Sequence, residues 1–229
     1  MSLMIFVILN INSSFFTKQR YQANWADLWL IDTHNGWDNI APVNVSEYPG
    51  IKHHLDQYYE KISKRQDRGI TPYNLRNCAY HEHFSMPKLI WIVLTMDGRF
   101  AYDDSKIFTE ASTFILTGYD LKYLCAFMNS YLIQWFIEIS APTSGMGVFQ
   151  WKKTYIETVP IPLVSSQDEH RSLISLVDHI LLKKDSQINI DIADIEYEIN
   201  QKVYDIYGLT NLEKQLINSL IRKNQSCPK

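Results

Sequence analysis

The sequence has no excess of positive charge. Its 22 Lys and Arg face 25 Asp and Glu, a net charge of −3, which excludes nucleic-acid binding through a uniformly basic surface. Cysteine is scarce as well. Cys78, Cys125 and Cys227 are odd in number and widely spaced, with no CxxC pair, so neither a disulfide scaffold nor a zinc ribbon is expected, and a reducing cytoplasm fits. Long apolar runs are missing. Residues 4–9 are too few to cross a bilayer and lack the basic flank and cleavage site of a signal peptide. A first strand is expected there, and no membrane partner. Neither GxxxxGK[ST] nor GxGxxG occurs, which removes the usual glycine-rich cradles for a nucleotide.

What is present suits a folded domain. Apolar residues make up 46% of the chain, enough for a core, and the 14 Tyr and 6 Trp belong there before they serve as flat surfaces for bases. Trp29-Leu30-Ile31 reads as a strand, with turns at Asn35-Gly36 and Ala41-Pro42. After Tyr48-Pro49-Gly50, Ile51, Leu55, Tyr58 and Ile62 share one helical face, and Gly69 is the expected stop. Residues 89–95 are β-rich, Asp97-Gly98 is a hairpin-type turn and Phe100-Ala101-Tyr102 its return strand. Residues 112–117 give another strand. Asp120 is expected to cap one apolar helix running through Leu124, Met128, Leu132 and Phe136. A flexible Ser144-Gly145-Met146-Gly147 loop and a strand at 148–151 follow. Three helices come after Pro160-Ile161-Pro162: one around Leu173 to Leu181, one around Ile188 to Ile206 stopped by Gly208, and a last one opened by a Thr210/Glu213 capping box. The pattern predicts an α+β fold. A mixed or antiparallel sheet with packed helices is expected over 1–165, and over 166–229 a C-terminal helical segment packing on it or on partner domains.

Local charge departs from the average. Lys52, Lys61, Lys64, Arg65, Arg68 and Arg76 outnumber Asp56, Glu60 and Asp67, while Asp191, Asp194, Glu196, Glu198 and Asp205 reverse the balance later. Solvated helix faces account for such charge equally well. Within 65–76, however, Arg65, Arg68, Tyr73, Asn74 and Arg76 combine cations, an amide and an aromatic on a turn. Arg and Asn read guanine and adenine edges, and Lys and Arg hold phosphates. Gln150, Trp151, Lys152 and Lys153, after Gly145 and Gly147, repeat these ingredients.

Catalytic patterns are weaker. His81-Glu82-His83 would place two histidines on one strand face and His53-His54 would diverge on a helix, but no third ligand stands at defined spacing. Asp104-Ser105-Lys106 and Asp120-Leu121-Lys122 fit a nuclease D-x-K, with Asp97 upstream, yet such tripeptides arise by chance in a chain this long. There is no GxSxG and no Cys/His set. No catalytic or metal-binding residue is therefore expected.

The order of the motifs says more than any one of them. Arg20-Tyr21, Trp29-Leu30-Ile31, Tyr48-Pro49-Gly50-Ile51 with His54-Leu55, Arg65-x-Asp67-x-Gly69 and Tyr73-x-Leu75-Arg76 come first. Pro87-Lys88-Leu89-Ile90-Trp91, Tyr123-Leu124 with Met128-Asn129-Ser130, the glycine loop and Tyr155-Ile156-Glu157 follow. Pro160-Ile161-Pro162 and Tyr204-x-x-Tyr207-Gly208-Leu209-Thr210 end the series. This succession resembles the C-terminal specificity domain of TaqI-like and Eco57I-like adenine-specific DNA methyltransferases and type IIG restriction enzymes, over nearly the whole chain from about Arg20. One departure is Pro72, where the family usually has Trp; it stiffens the turn and removes an N–H.

The resemblance implies a sequence-specific binder of double-stranded DNA that is not itself an enzyme. In the family a separate domain binds S-adenosylmethionine and methylates adenine N6 through an Asn/Asp-Pro-Pro-Tyr/Phe element, which this sequence does not contain. S-adenosylmethionine, and Mg2+ where the parent cuts DNA, are thus expected in other domains, and a methyltransferase domain or subunit is the expected partner. The DNA face is expected to hold Arg65, Arg68, Tyr73, Asn74, Arg76, Lys88, Gln150, Lys152 and Lys153, with Arg76 and Lys88 taken from family motifs. Motif residues can equally serve folding: Arg76 could pair with Asp67 inside a turn. The alternative is an interaction module whose C-terminal helices dock a methyltransferase or nuclease subunit.

Overall fold

A computed structural model describes residues 5–8, 20–23, 28–109, 112–144, 148–162, 166–186 and 190–225. Gly145 and Gly147 of the expected flexible loop, together with Ile188 and Cys227, lie outside the described residues. The strands are β1 (Ile5–Ile8), β2 (Tyr21–Gln22), β3 (Leu28–Ile31), β4 (Lys88–Ile92), β5 (Leu94–Thr95), β6 (Ala101–Asp103), β7 (Thr113–Thr117), β8 (Thr143–Ser144) and β9 (Val148–Gln150). The helices are α1 (Pro49–Asp56), α2 (Tyr59–Ser63), α3 (Leu121–Met128), α4 (Tyr131–Ser140), α5 (Lys153–Ile156), α6 (Gln167–Ser186), α7 (Ala193–Ile206) and α8 (Asn211–Gln225). The fold is α+β, and its chain contacts form two compact units that do not follow sequence order.

The first unit comprises 1–10, 25–86 and 105–108. β1 and β3 pair antiparallel, Ile5 opposite Ile31 and Ile8 opposite Leu28. Proline at the first position of α1 presets its φ and gives up an N–H that has no helical partner anyway. The single helix expected through Ile62 is two. Tyr58 N donates to Leu55 O (2.9 Å), a tighter turn that breaks the α-helical ladder, and neither α1 nor α2 buries a residue. Gly69 does not stop α2, which ends at Ser63; a Cβ at Gly69 would collide with Asn35 and the Leu75 carbonyl. His81 and His83 lie on a 3-10 helix, His81–Ser85, rather than on a strand. The unit's small core mixes Val43, Val45, Phe84, Ile107 and Phe108 with buried Asp32, Thr33, Asn74 and His81. His81 Nε2 lies 2.9 Å from Asp32 Oδ2, and Trp37 stacks on the His81 ring at 4.1 Å.

The second unit comprises 11–24, 87–104 and 109–229. Its main sheet runs β2-β6-β4-β7, parallel between β2 and β6 and antiparallel elsewhere; a smaller sheet runs β5-β9-β8. The β-rich run from Leu89 to Thr95 feeds both sheets. It turns at Val93, whose N–H donates to Ser112 O (3.1 Å) and whose carbonyl accepts from Trp151 N (2.7 Å). The expected single apolar helix is again two, α3 and α4. Asn129 ends α3, and its amide bridges Phe100 and Cys125 carbonyls at 2.8 and 2.9 Å. The Ser130 hydroxyl then caps α4 at Ile133 N. Asp120 does not cap α3: its φ is +54°, its side chain makes no cap hydrogen bond, and its carboxylate lies 3.4 Å from His170 Nε2.

The helices from α6 onward belong to this same unit. Leu173, Val177 and Ile180 of α6, Ile199, Val203 and Tyr204 of α7, and Ile217 and Ile221 of α8 join Leu89, Cys125 and Phe127 in one core cluster. Each fully buried Leu or Ile contributes about 1.5–3 kcal/mol. Gly208 follows α7 at φ +67°, and the Thr210/Glu213 box forms as expected: Thr210 N donates to Glu213 Oε2 (2.7 Å) and Glu213 N to Thr210 Oγ1 (3.4 Å). Several motif residues meet here as ties. Tyr207 and Tyr123 donate their hydroxyls to the carbonyls of Pro160 (2.7 Å) and Pro162 (3.1 Å).

Candidate nucleic-acid interface

In the first unit the turn at 65–77 is knotted by its own side chains. Arg65 Nη2 donates to Pro72 O and Asn74 O, both at 3.1 Å. Asn74 is 1% exposed and donates to His34 O (3.2 Å) and Val43 O (3.0 Å), while its Oδ1 accepts from Thr71. Leu75 N reaches Thr33 O at 2.9 Å. Two of the expected DNA-face residues are thereby corrected. Asn74 is buried with its amide fully used, and Arg65 closes the turn from inside, because the segment needs internal donors for carbonyls that no sheet satisfies.

Tyr73 is half-buried. Its hydroxyl donates to Asp56 (2.6 Å), which holds the phenol above its ordinary pKa, and Lys52 sits 5.4 Å from the ring centroid. Arg68 and Arg76 face solvent. Arg68 Nη1 donates to Ser63 O (2.8 Å); Arg76 pairs with Asp67 at 3.3 Å, both side chains about two-thirds exposed. Such an exposed pair exchanges readily with solvent or phosphate. Tyr59, 5.6 Å from Tyr73 and 46% exposed, lies beside it, a neighbour not named from the sequence. Its only signal was an aromatic on a helix face, which is ordinary core patterning.

In the second unit the outcomes also divide. Lys88, placed at the DNA face by its motif, is 0% exposed and ion-paired with Asp103, its cross-strand partner. This is a correction: a buried ammonium held by a carboxylate cannot also meet a phosphate. Trp151 is fully buried, with Nε1 donating to Thr95 O (3.2 Å) and its carbonyl accepting from Trp91 Nε1 (2.7 Å). On either side of it Gln150 is half-buried and Lys152 and Lys153 are exposed. Lys153 pairs with Glu157 at 3.4 Å; among the described residues Lys152 has no ion partner. Leu94, the Cα partner of Gln150, is 51% exposed and Met96 47%, with Thr95 buried between them. The sequence reads this segment only as a β-rich run, which does not tell which of its side chains reach solvent.

Two of the three carboxylates of the nuclease pattern, Asp97 and Asp120, have other partners, and Asp104 is exposed. Asp97 lies 2.8 Å from Arg99 and 3.6 Å from Arg20, Asp120 faces His170, and Lys122 pairs with Asp178. Among the described residues, no group of three His, Cys, Asp or Glu could hold a metal. Cys125 is buried, which pushes its thiol up to about 12. No helix among the described residues is long and apolar enough to cross a membrane.

These features define a class: an α+β domain whose solvent-facing cations sit on turns between buried ties. The chain belongs to the TaqI-like C-terminal specificity domain family, whose model matches residues 19–161. Among solved structures it is similar to the Type IIL restriction-modification enzyme MmeI in complex with DNA, with a TM-score of 0.57 and 10% identity. The match covers 87% of this chain and 29% of that one, so this chain spans under a third of that enzyme's length. At this identity the likeness is one of fold. No curated protein matches the sequence.

Proposed function

We propose that this chain is the DNA target-recognition domain of a restriction-modification enzyme, one that holds and reads a duplex while bond-making chemistry is carried by other segments. The observation that carries the proposal is the specificity-domain match over 19–161. The DNA complex of the similar enzyme supports it, as do the exposed Arg68, Arg76, Lys152 and Lys153. Those cations would set register on phosphates, and neighbouring polar side chains would read base edges. The parent enzyme is proposed to be an adenine-N6 methyltransferase, alone or fused to a nuclease. S-adenosylmethionine, and Mg2+ where DNA is cut, would be held by its other domains. A duplex clamped by this domain is what extrusion of a target adenine requires.

The test is an anisotropy titration of the 229-residue chain with labelled duplex at low salt. Binding is expected, and Arg68→Ala combined with Lys152→Ala should weaken it at least tenfold. Absence of binding by the unaltered chain would sink autonomous recognition. A second reading, a docking module for a methyltransferase or nuclease subunit, draws on α8, where Leu212, Leu216 and Leu220 stand 76, 56 and 36% exposed at helical spacing. On that reading the double substitution changes nothing in the reconstituted enzyme.

A further inference from the structure

We propose that the Asp38-Asn39 tip of a short hairpin in the first unit is a base-reading element; the assignment rests on the DNA-recognition reading above. The hairpin is stiff. Trp37 N donates to Ile40 O (3.1 Å) and Ile40 N to Trp37 O (2.7 Å), leaving two residues at the tip. Gly36 has φ +78°, and a Cβ there would collide with the Ile40 carbonyl. Asp38 has φ +45°, a left-handed conformation that aspartate and asparagine adopt more readily than most residues. Beneath the tip, Val43 N donates to His34 O (3.0 Å), and the buried Asn74 amide ties His34 O and Val43 O to the 65–77 turn. Trp37 is further fixed by stacking on His81.

The tip backbone closes the turn, but its side chains take no part in holding it. Asp38, Asn39 and Ile40 are exposed, and neither polar side chain has a partner among the described residues. The positive φ of Asp38 serves the two-residue turn, but the Asp38 and Asn39 side chains are left over from it, unpaired on a rigid base.

The surroundings supply the partner chemistry. Asn35, at the hairpin stem, has Gly69 flush against it, accepts from Ile70 N (2.7 Å) and is bonded to Asn77. Arg68 and Arg76 are the residues immediately before Gly69 and Asn77, so their backbones adjoin two residues that touch the stem, and both side chains are exposed. Phosphates would lie on these arginines. The Asp38 carboxylate repels phosphate, which leaves it a base-edge donor such as cytosine N4; Asn39 matches adenine N6 and N7. Cations at the stem and uncharged or acidic acceptors at the tip are the division of labour a groove requires.

The experiment is selection from a randomised duplex library by the full chain, followed by sequencing of the retained DNA. The unaltered chain should enrich a motif. Asn39→Ala should lower discrimination at one position by roughly 5- to 100-fold, with the melting temperature unchanged. Asp38→Asn keeps a residue that accepts the left-handed turn and should move the preferred base at one position from cytosine toward adenine. Arg68→Ala should weaken all sequences alike. A motif that survives both tip substitutions overturns the assignment alone, as does a chain that binds duplex but enriches nothing. A chain that binds no duplex removes autonomous recognition by this domain, and this assignment with it.

Discussion

Lys88 and Lys152 are the same residue type in the same unit, yet their surroundings assign them different work. Lys88 opens β4 directly opposite Asp103 on β6, and both side chains are out of water. Removing one partner would leave the other charge buried alone, which costs about 3–5 kcal/mol. Lys88→Ala should lower unfolding free energy in urea by that order, and Lys88→Met with Asp103→Leu should recover most of it. DNA affinity of whatever remains folded should be unchanged. A stable Lys88→Ala variant that binds DNA poorly would restore this lysine to the interface and refute the buried-pair account. Lys152 faces solvent with no ion partner among the described residues, so its substitution should act on binding and hardly on stability.

At the level of elements, the turn from Met96 to Phe100 joins the two sheets of the second unit to the α3–α4 junction. Gln134 holds it by donating to Met96 O (3.2 Å) and accepting from Gly98 N (2.8 Å); Asn129 accepts from Phe100 N (3.0 Å). Gly98 was read in the sequence as a hairpin residue. The structure gives a different reason for it: any Cβ there would run into the Trp151 ring. Gly98→Ala should therefore cost about 1–3 kcal/mol by overpacking, read as a fall in melting temperature with Trp151 fluorescence shifted to the red. An unshifted melting temperature would mean the ring has room to yield.

The same elements show where the sequence was legible. Strands Lys88–Ile92, Ala101–Asp103 and Thr113–Thr117 and the Thr210/Glu213 box emerge as expected, because β-rich composition, turn residues and reciprocal capping are local signals. The division of α3 from α4 was hidden, since the apolar spacing resumes at Leu132 beyond the polar pair Asn129-Ser130. So was the burial of Asn74 and Lys88. Their partners at His34, Val43 and Asp103 are distant in sequence, and a polar residue does not announce which carbonyl it will meet.

Over the whole molecule a net charge of −3 and a DNA-binding role are compatible only if contact is confined to a few cations. The structure narrows the available ones, withdrawing Lys88 into a buried pair and Arg65 into its own turn. Arg68, Arg76, Lys152 and Lys153 are left of the cations first assigned to the interface. Each phosphate contact releases counterions and adds about −0.9 to the slope of log K against log salt. Four contacts give a slope of about −4 at most, shallow for a complete recognition enzyme. Affinity measured between low and physiological salt should show that slope. Arg68→Ala should reduce it by about one, while Lys88→Met with Asp103→Leu should leave it unaltered. A slope much steeper than −4 would mean that cations outside these four carry the contact. A flat one would mean that phosphates are not what these cations hold, and the specificity domain would then have to bind DNA only with the rest of its enzyme in place.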